Sequence, residues 1–172
     1  MALIIASVVL CDILILPVFD SLKSSRESSK LLPLLNDIQA KQNIDDSFLK
    51  ESFDVDAQWD FGIDLLKQMG YDFNHGRQDK AHHPFSTSFG SEDVRITTRL
   101  DENDVMNMVG SCIHEGGHGL YEQGFKADAY GLPESQAISY GIHESMSRFW
   151  ENKIGLSREY WQFNFPKMQK YF

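Results

Sequence analysis

The first half of the chain has the spacing of amphipathic helices. Apolar residues recur three and four positions apart over Leu31–Ala40, Asp45–Lys50 and Asp54–Met69, which matches one face of a helix. Gly70 follows the third segment at a position where helices commonly end in a glycine. The pattern therefore predicts helices in this region, the last of them ending at Gly70.

The pattern changes at His82. From His82 to Leu100, apolar or β-branched residues alternate with polar ones on either side of Gly90–Asp93. A period of two is typical of half-buried strands, and a short polar segment containing glycine favours a turn between them. The sequence predicts one small β-hairpin here.

A long helix is predicted after the hairpin. Asp101 and Asp104 offer N-cap chemistry, helical spacing continues to about Gln123, and Gly124 is placed to follow the helix as its C′ residue. Glycine and proline then mark 125–135 as a loop. Helical spacing returns over Gln136–Lys153, which predicts a further helix.

Residues 1–20 form an apolar segment whose status the pattern leaves open. Met1–Phe19 is mostly apolar, but Asp12 and Pro17 interrupt it. A carboxylate near the centre of a membrane span costs about 2.5–3.5 kcal/mol, which disfavours a transmembrane helix. No basic residue precedes Lys23, which disfavours a secretory signal. A buried helix and the cut end of a larger protein remain as interpretations, and we favour the second.

The composition is that of an ordinary globular protein with an acidic balance. Of 172 residues, 42% are hydrophobic and 24% are charged, enough chain for one core. The net charge of −9 gives no attraction to nucleic acid or to anionic membranes. Cys11 and Cys112 fit neither a disulfide framework nor a cysteine zinc site, which favours a reducing, cytoplasmic location.

The predicted long helix contains the sequence HEGGH, which matches the HExxH pattern. A step of four residues turns a helix by about 40° and rises about 6 Å, so His114 and His118 project from one face and can share one zinc ion. Glu115 lies about 100° round the helix, beside the ion rather than on it. That position suits a general base for the attacking water.

A catalytic zinc site needs a third protein ligand and an open fourth position. A metzincin would place a histidine ten residues after His114, but position 124 is glycine, which excludes that class. A gluzincin takes a glutamate from farther along the chain, and the candidates are Glu122, Glu134, Glu144, Glu151 and Glu159. Glu122, one turn beyond His118, is better explained as a surface residue. Glu144 and Glu151 share one helix face, so spacing leaves both open.

Four glycines lie inside the same predicted helix: Gly110, Gly116, Gly117 and Gly119. Each costs about 0.5–1 kcal/mol relative to alanine in a helix interior. We expect the missing side chains to make room for another backbone or for a substrate, with the hairpin strand as the nearest candidate. Tight helix packing is the alternative for Gly110 and Gly119.

Four motifs resemble, in order, those of a known family. His83-Pro84-Phe85, Asp93–Thr97, His114–His118 and His143-Glu144-Ser145 are similar to the HPF, DxRxT, HExxH and HES motifs of the M32 metallocarboxypeptidases, the carboxypeptidase Taq type. The resemblance implies a mainly α fold: a helical, zincin-like (gluzincin) core with one small β-hairpin beside the HExxH helix. It also implies a cytosolic homodimer.

The resemblance assigns roles to individual residues. It implies Glu144 as the third metal ligand beside His114 and His118, and Glu115 as the base that activates water and later returns the proton. The expected ion is Zn²⁺, with Co²⁺ as an alternative, one per chain. The remaining motif residues are candidates for substrate contact: His83, Asp93, Arg95, Thr97 and His143. Arg95 would offer its charge to a peptide carboxylate, although a purely structural hairpin is the alternative.

The chain departs from the family pattern in two places. Met146 stands where the family usually shows Gln or Gly. Family members are also several-fold longer, and their IRxxAD and GxxQDxHW motifs have no counterpart before Phe172. We therefore expect 21–172 to be a partial catalytic domain that lacks the N-terminal and C-terminal portions of the family.

The function expected from this sequence is metal-dependent hydrolysis of C-terminal peptide bonds, with peptides that carry a free C-terminus as substrates. Two alternatives stay open. One is an endo-acting gluzincin oligopeptidase. The other is a catalytically incomplete remnant that binds metal or pairs with a full-length partner.

Overall fold

The computed structural model describes residues 28–41 and 46–172, and the chain divides into two compact units, 1–48 and 49–172. The apolar segment 1–20 lies outside the described residues. Among the described helices, none combines the length and the apolar character that a membrane span requires.

The fold is mainly helical, as predicted. The first unit contains helix α1 (Ser28–Lys41), and a 3₁₀ turn covers Ser47–Lys50. The regular elements of the second unit are α2 (Val55–Met69), β1 (Gly76–Lys80), β2 (Ser86–Ser88), β3 (Val94–Thr98), α3 (Val105–Gln123), α4 (Tyr140–Arg148), a π-helical segment (Phe149–Gly155) and α5 (Arg158–Tyr171).

Helix α2 begins and ends as its sequence predicts. The Asp54 side chain accepts a hydrogen bond from the Ala57 amide at 2.8 Å, which caps the N-terminus. Gly70 ends the helix with φ 97°, a left-handed conformation that suits glycine. The apolar face of α2 packs on α3, and its buried members are Phe61, Leu65, Leu66 and Met69.

The predicted hairpin is present, but it is part of a three-stranded sheet. Strand β2 pairs with β3 in antiparallel register, with Ser86 opposite Ile96. Strand β1, which the sequence analysis missed, pairs with β3 in parallel, so that β3 is the central strand. The sequence of β1, GRQDK, has no apolar alternation to mark it as a strand.

Helix α3 carries the HExxH sequence and packs on the sheet. Asp104 caps it by accepting from the Asn107 amide at 3.0 Å, and the Oγ1 of Thr98 in β3 lies 2.6 Å from Ser111 Oγ. Gly124 follows the helix as expected. Its φ of −78° is right-handed, unlike that of Gly70, and its amide donates to carbonyls of the last helical turn.

The helix predicted over Gln136–Lys153 begins later and changes character within its length. Ser139 caps α4 by accepting from the Ile142 amide at 3.2 Å, so the helix starts at Tyr140. From Phe149 the chain forms the wider π-helical turns, and α5 follows. Trp161 of α5 is buried and donates from Nε1 to the Gly155 carbonyl at 2.7 Å, which fixes α5 against the end of the π-helical segment.

Candidate metal centre

Two helices bring three potential metal ligands together. His114 and His118 lie one turn apart on α3, and Glu144 lies on α4; one ligand atom from each lies within 4.8 Å of the other two. Glu144 Oε2 is 3.3 Å from His118 Nε2 and 3.8 Å from His114 Nε2. The cluster therefore presents two imidazole nitrogens and one carboxylate oxygen to a common point.

This donor set fits a divalent ion. Nitrogen and oxygen ligands lie about 2.0–2.2 Å from zinc in tetrahedral sites, which separates neighbouring ligand atoms by roughly 3.3 Å. The two distances to Glu144 are close to that separation. The Glu144 side chain is 46% exposed, so the cluster is open to solvent on one side.

A glycine allows α4 to approach the histidines. A Cβ at Gly117 would lie 2.7 Å from the Cα of Ser147 and 3.1 Å from the carbonyl oxygen of Met146. The expected close approach at this glycine is therefore to another backbone, but that backbone belongs to α4 rather than to the hairpin strand. This contact carries Glu144 over the face that holds His114 and His118.

The other glycines of α3 differ in their surroundings. A Cβ at Gly116 would lie 2.7 Å from the Leu66 side chain of α2, and one at Gly119 would lie 2.8 Å from the Tyr71 ring. A Cβ at Gly110 would meet nothing within 4 Å. Packing thus explains Gly119 but gives no reason for Gly110.

Glu115 is buried beside the cluster. Burial raises the pKa of Glu115 to about 7; the neighbouring His114 and a hydrogen bond with the Ser86 side chain lower it, while the charge of Glu144 raises it. Because Ser86 belongs to β2, the hairpin contributes directly to the surroundings of this carboxyl group. Such a carboxyl group can exchange a proton near neutral pH.

The two histidines have different electrostatic environments. Burial and the neighbouring His114 and His143 lower the pKa of His118 to about 4, so its imidazole is neutral and has a lone pair to offer. For His114, burial acts to lower the pKa, but the hydrogen bond and charge of Glu151, together with the charges of Glu115 and Glu144, outweigh it and the pKa is raised.

Glu151, the alternative third ligand, lies on the other side of His114. Its Oε2 is 2.8 Å from His114 Nδ1, whereas Glu144 faces Nε2. Spacing alone left these two glutamates equivalent. The structure distinguishes them, because only Glu144 lies next to Nε2, the His114 nitrogen on the side of His118.

His143 and Glu122 form a second connection to the cluster. The His143 ring stacks on His118 with centroids 4.5 Å apart, and its Nε2 lies 2.7 Å from Glu122 Oε1. Glu122 Oε2 also accepts from Ser88 Oγ at 2.9 Å. The interpretation of Glu122 as a surface residue was therefore wrong, because it joins α3, α4 and β2. Its position one turn after His118 was the available signal.

The other candidate substrate residues lie outside the three-residue cluster: Arg95 and Thr97 are in β3, Asp93 is in the β2–β3 turn, and His83 is in the connection between β1 and β2. Arg95 donates to both Asp93 carboxylate oxygens at 2.8 Å and is exposed. Thr97 Oγ1 accepts from the Phe85 amide at 2.9 Å, so the HPF and DxRxT motifs contact each other. His83 is exposed.

The chain matches a known family along most of its length. Residues 13–172 match the family described as carboxypeptidase Taq (M32) metallopeptidase. Thermostable carboxypeptidase 1 of Thermus thermophilus is 40% identical over 159 residues, covering 92% of this chain and 30% of that protein. Carboxypeptidase 1 of Bacillus subtilis is 39% identical over 141 residues, covering 81% of this chain and 28% of that protein.

The fold agrees with that assignment. The crystal structure of an M32 carboxypeptidase from Deinococcus radiodurans R1 has a TM-score of 0.80 and 42% sequence identity, covering 91% of this chain and 30% of that chain. The chain thus spans about 30% of the length of the relatives it matches. From its sequence match and its fold, this chain belongs to the M32 family of carboxypeptidase Taq metallopeptidases.

Proposed function

We propose that this chain carries the metal-dependent centre of a carboxypeptidase that hydrolyses C-terminal peptide bonds. The observation that supports it is the grouping of His114, His118 and Glu144 within 4.8 Å, with the buried Glu115 next to them, in a member of the M32 family. The relatives named above are themselves called carboxypeptidases.

In the proposed reaction His114, His118 and Glu144 hold a divalent ion, for which Zn²⁺ is the first choice and Co²⁺ the second. When bound, such an ion polarises the scissile carbonyl and lowers the pKa of water. Glu115 takes the proton from the attacking water and returns it to the leaving amine. Its burial against β2 keeps its carboxyl group in a fixed position beside the ligands.

A groove that extends to Glu122 supports binding of an extended peptide. Two adjoining cavities of about 280 and 430 Å³ lie between the β2–β3 turn and the loop after α3, and both are lined by Phe89, Tyr130 and Ser135. The larger cavity reaches Glu122, which holds His143 against His118. We propose that the substrate chain occupies this groove, with its scissile bond at the cluster.

A metal-binding protein without peptidase activity of its own is the second candidate. The observation that favours it is that His114, His118 and Glu144 alone can hold an ion, whereas Arg95, a candidate for substrate contact, is paired with Asp93. Such a protein would hold the same metal ion as the proposed carboxypeptidase but would not hydrolyse peptides.

Peptide release by the zinc-loaded chain tests the proposal. We expect release of the last residue from a short peptide with a free C-terminus and little release from the same peptide amidated at that end. Glu115→Gln should reduce the rate by at least about 100-fold, because the proton acceptor is removed. Glu159→Gln, a change at an exposed glutamate of α5, is the matched control and should keep the rate.

The outcomes separate the candidates. Equal cleavage of the free and amidated peptides would show an endo-acting peptidase. Zinc binding without cleavage of either peptide would support the second candidate. Equal rates for the wild-type chain and Glu115→Gln would remove Glu115 as the base.

A further inference from the structure

Glu151 is a buried carboxylate that contacts the proposed metal ligand His114 at Nδ1, the ring nitrogen that does not face Glu144. The residue is 7% exposed, and its Oε2 lies 2.8 Å from His114 Nδ1. The same Oε2 accepts a hydrogen bond from Arg148 NH1 at 3.0 Å. An oxygen that accepts from Arg148 acts as an acceptor towards the imidazole too, so Nδ1 of His114 carries the proton and donates it.

This hydrogen bond determines which nitrogen of His114 is free. A neutral imidazole has one N–H and one lone pair, so protonation at Nδ1 leaves the lone pair on Nε2. Nε2 is the atom that faces Glu144 and the centre of the cluster. Histidine ligands in metal sites are commonly held by a carboxylate in this way, and loss of such a partner typically reduces metal affinity 10–100-fold.

Arg148 links this carboxylate to the ligand on α4. Its Nε donates to Glu144 Oε1 at 2.8 Å, while its NH1 donates to Glu151. Because Oε1 of Glu144 is engaged by Arg148, Oε2 is the oxygen directed at His114 and His118. One guanidinium therefore orients two carboxylates, as its planar fork allows.

Structural stabilisation alone gives a weak reason for this arrangement. Replacing a buried ion pair by apolar residues of similar volume is often neutral or stabilising for the fold. The contacts instead converge on the two atoms that the proposed ion needs, His114 Nε2 and Glu144 Oε2. The second histidine is held differently, by stacking against His143.

We propose that Glu151 and Arg148 are positioning residues of the metal centre: Glu151 fixes the tautomer and orientation of His114, and Arg148 fixes Glu151 and the ligand Glu144 together. Neither residue contacts the ion in this arrangement. The inference rests on the proposed function, since it assigns residues that prepare the same centre.

Zinc affinity tests the proposal independently of turnover. Competition with a chromophoric chelator is measured for the full chain, for Glu151→Ala, Glu151→Gln and Arg148→Lys, and for the exposed control Glu159→Gln. We expect Glu151→Ala to bind Zn²⁺ 10–100-fold more weakly. Glu151→Gln should lose less, because its amide oxygen can still accept from Nδ1. Arg148→Lys should also bind more weakly, because one ammonium does not reproduce the fork, and Glu159→Gln should match wild type.

The histidine tautomer supplies a second measurement, on metal-free protein. Nitrogen-15 spectra of labelled histidine, recorded at alkaline pH where the imidazoles are neutral, should show His114 protonated at Nδ1 in the wild-type chain and in Glu159→Gln, and a shift towards the Nε2–H form in Glu151→Ala. Glu151→Gln keeps the side-chain volume, so it serves if Glu151→Ala does not fold. A merely structural role for Glu151 would change stability without this tautomer shift.

Failure of the proposed function and failure of this inference alone give different results. A wild-type chain that binds Zn²⁺ no better than His118→Ala overturns the proposed function and this inference with it. A wild-type chain that binds well, with affinities of the folded Glu151 variants within threefold of wild type and an unchanged His114 tautomer, overturns this inference alone.

Discussion

Substitution of Gly117 by alanine would test the packing that brings α4 to the metal centre. The new Cβ would lie 2.7 Å from the Cα of Ser147 and 3.1 Å from the carbonyl oxygen of Met146. Non-bonded carbon atoms prefer about 3.5–4.0 Å, so α4 must move away by about 1 Å. The obstructing atoms are backbone, which cannot rotate aside as a flexible side chain could.

The size of the effect follows from two opposing contributions. Overpacking of this kind costs about 1–3 kcal/mol, and the better helix propensity of alanine returns about 0.5–1 kcal/mol. We expect Gly117→Ala to lower the free energy of unfolding by about 1–2 kcal/mol. Because Glu144 moves with α4, zinc affinity should also fall by about tenfold or more.

Gly110→Ala is the matched control on the same helix. A Cβ at Gly110 meets nothing within 4 Å, so only the propensity gain applies, and the chain should become more stable by about 0.5–1 kcal/mol. Urea denaturation followed by circular dichroism gives both stabilities, and chelator competition gives the zinc affinity. If Gly117→Ala were as stable as Gly110→Ala and bound zinc like wild type, the argument that α4 needs this glycine would be refuted.

Three further predictions concern capping, thiol reactivity and metal removal. Asp104→Ala should cost about 1 kcal/mol in urea denaturation because the Asn107 amide loses its side-chain acceptor, whereas Asp104→Ser should retain most of that stability. Cys112 is buried and its thiol pKa is raised to about 11 by burial, so its alkylation near pH 8, distinguished from that of Cys11 by peptide mass spectrometry, should be slow in the native chain and fast in denaturant; rapid native labelling of Cys112 would contradict that burial. Free Zn²⁺ at 100 times its Kd should stabilise the chain by about 2.7 kcal/mol, which EDTA should abolish, and His118→Ala should show no such effect in thermal melts.

The sequence predicted the helices and the paired histidines because these depend on local spacing. The predicted cap at Asp104 acts on an amide three residues away, and His114 and His118 share a face because they are one helical turn apart. Such features need no knowledge of the rest of the fold.

Features that depend on distant parts of the chain were harder to predict. Strand β1 is polar and takes its extended form from pairing with β3. The contact of Glu122 with His143 requires the packing of α4 on α3. For the same reason spacing could not separate Glu144 from Glu151, since the difference is which nitrogen of His114 each one faces.

The change from α- to π-helical turns after Arg148 sets the direction, around the helix axis, in which the following side chains project. Each residue advances an α-helix by about 100° around its axis. Deleting one residue, either Phe149 or Trp150, would therefore turn the Glu151 carboxylate away from α3 while leaving Glu144 in place. The number of residues in the π-helical segment sets the direction in which Glu151 projects. The length of this segment is therefore constrained more tightly than its composition.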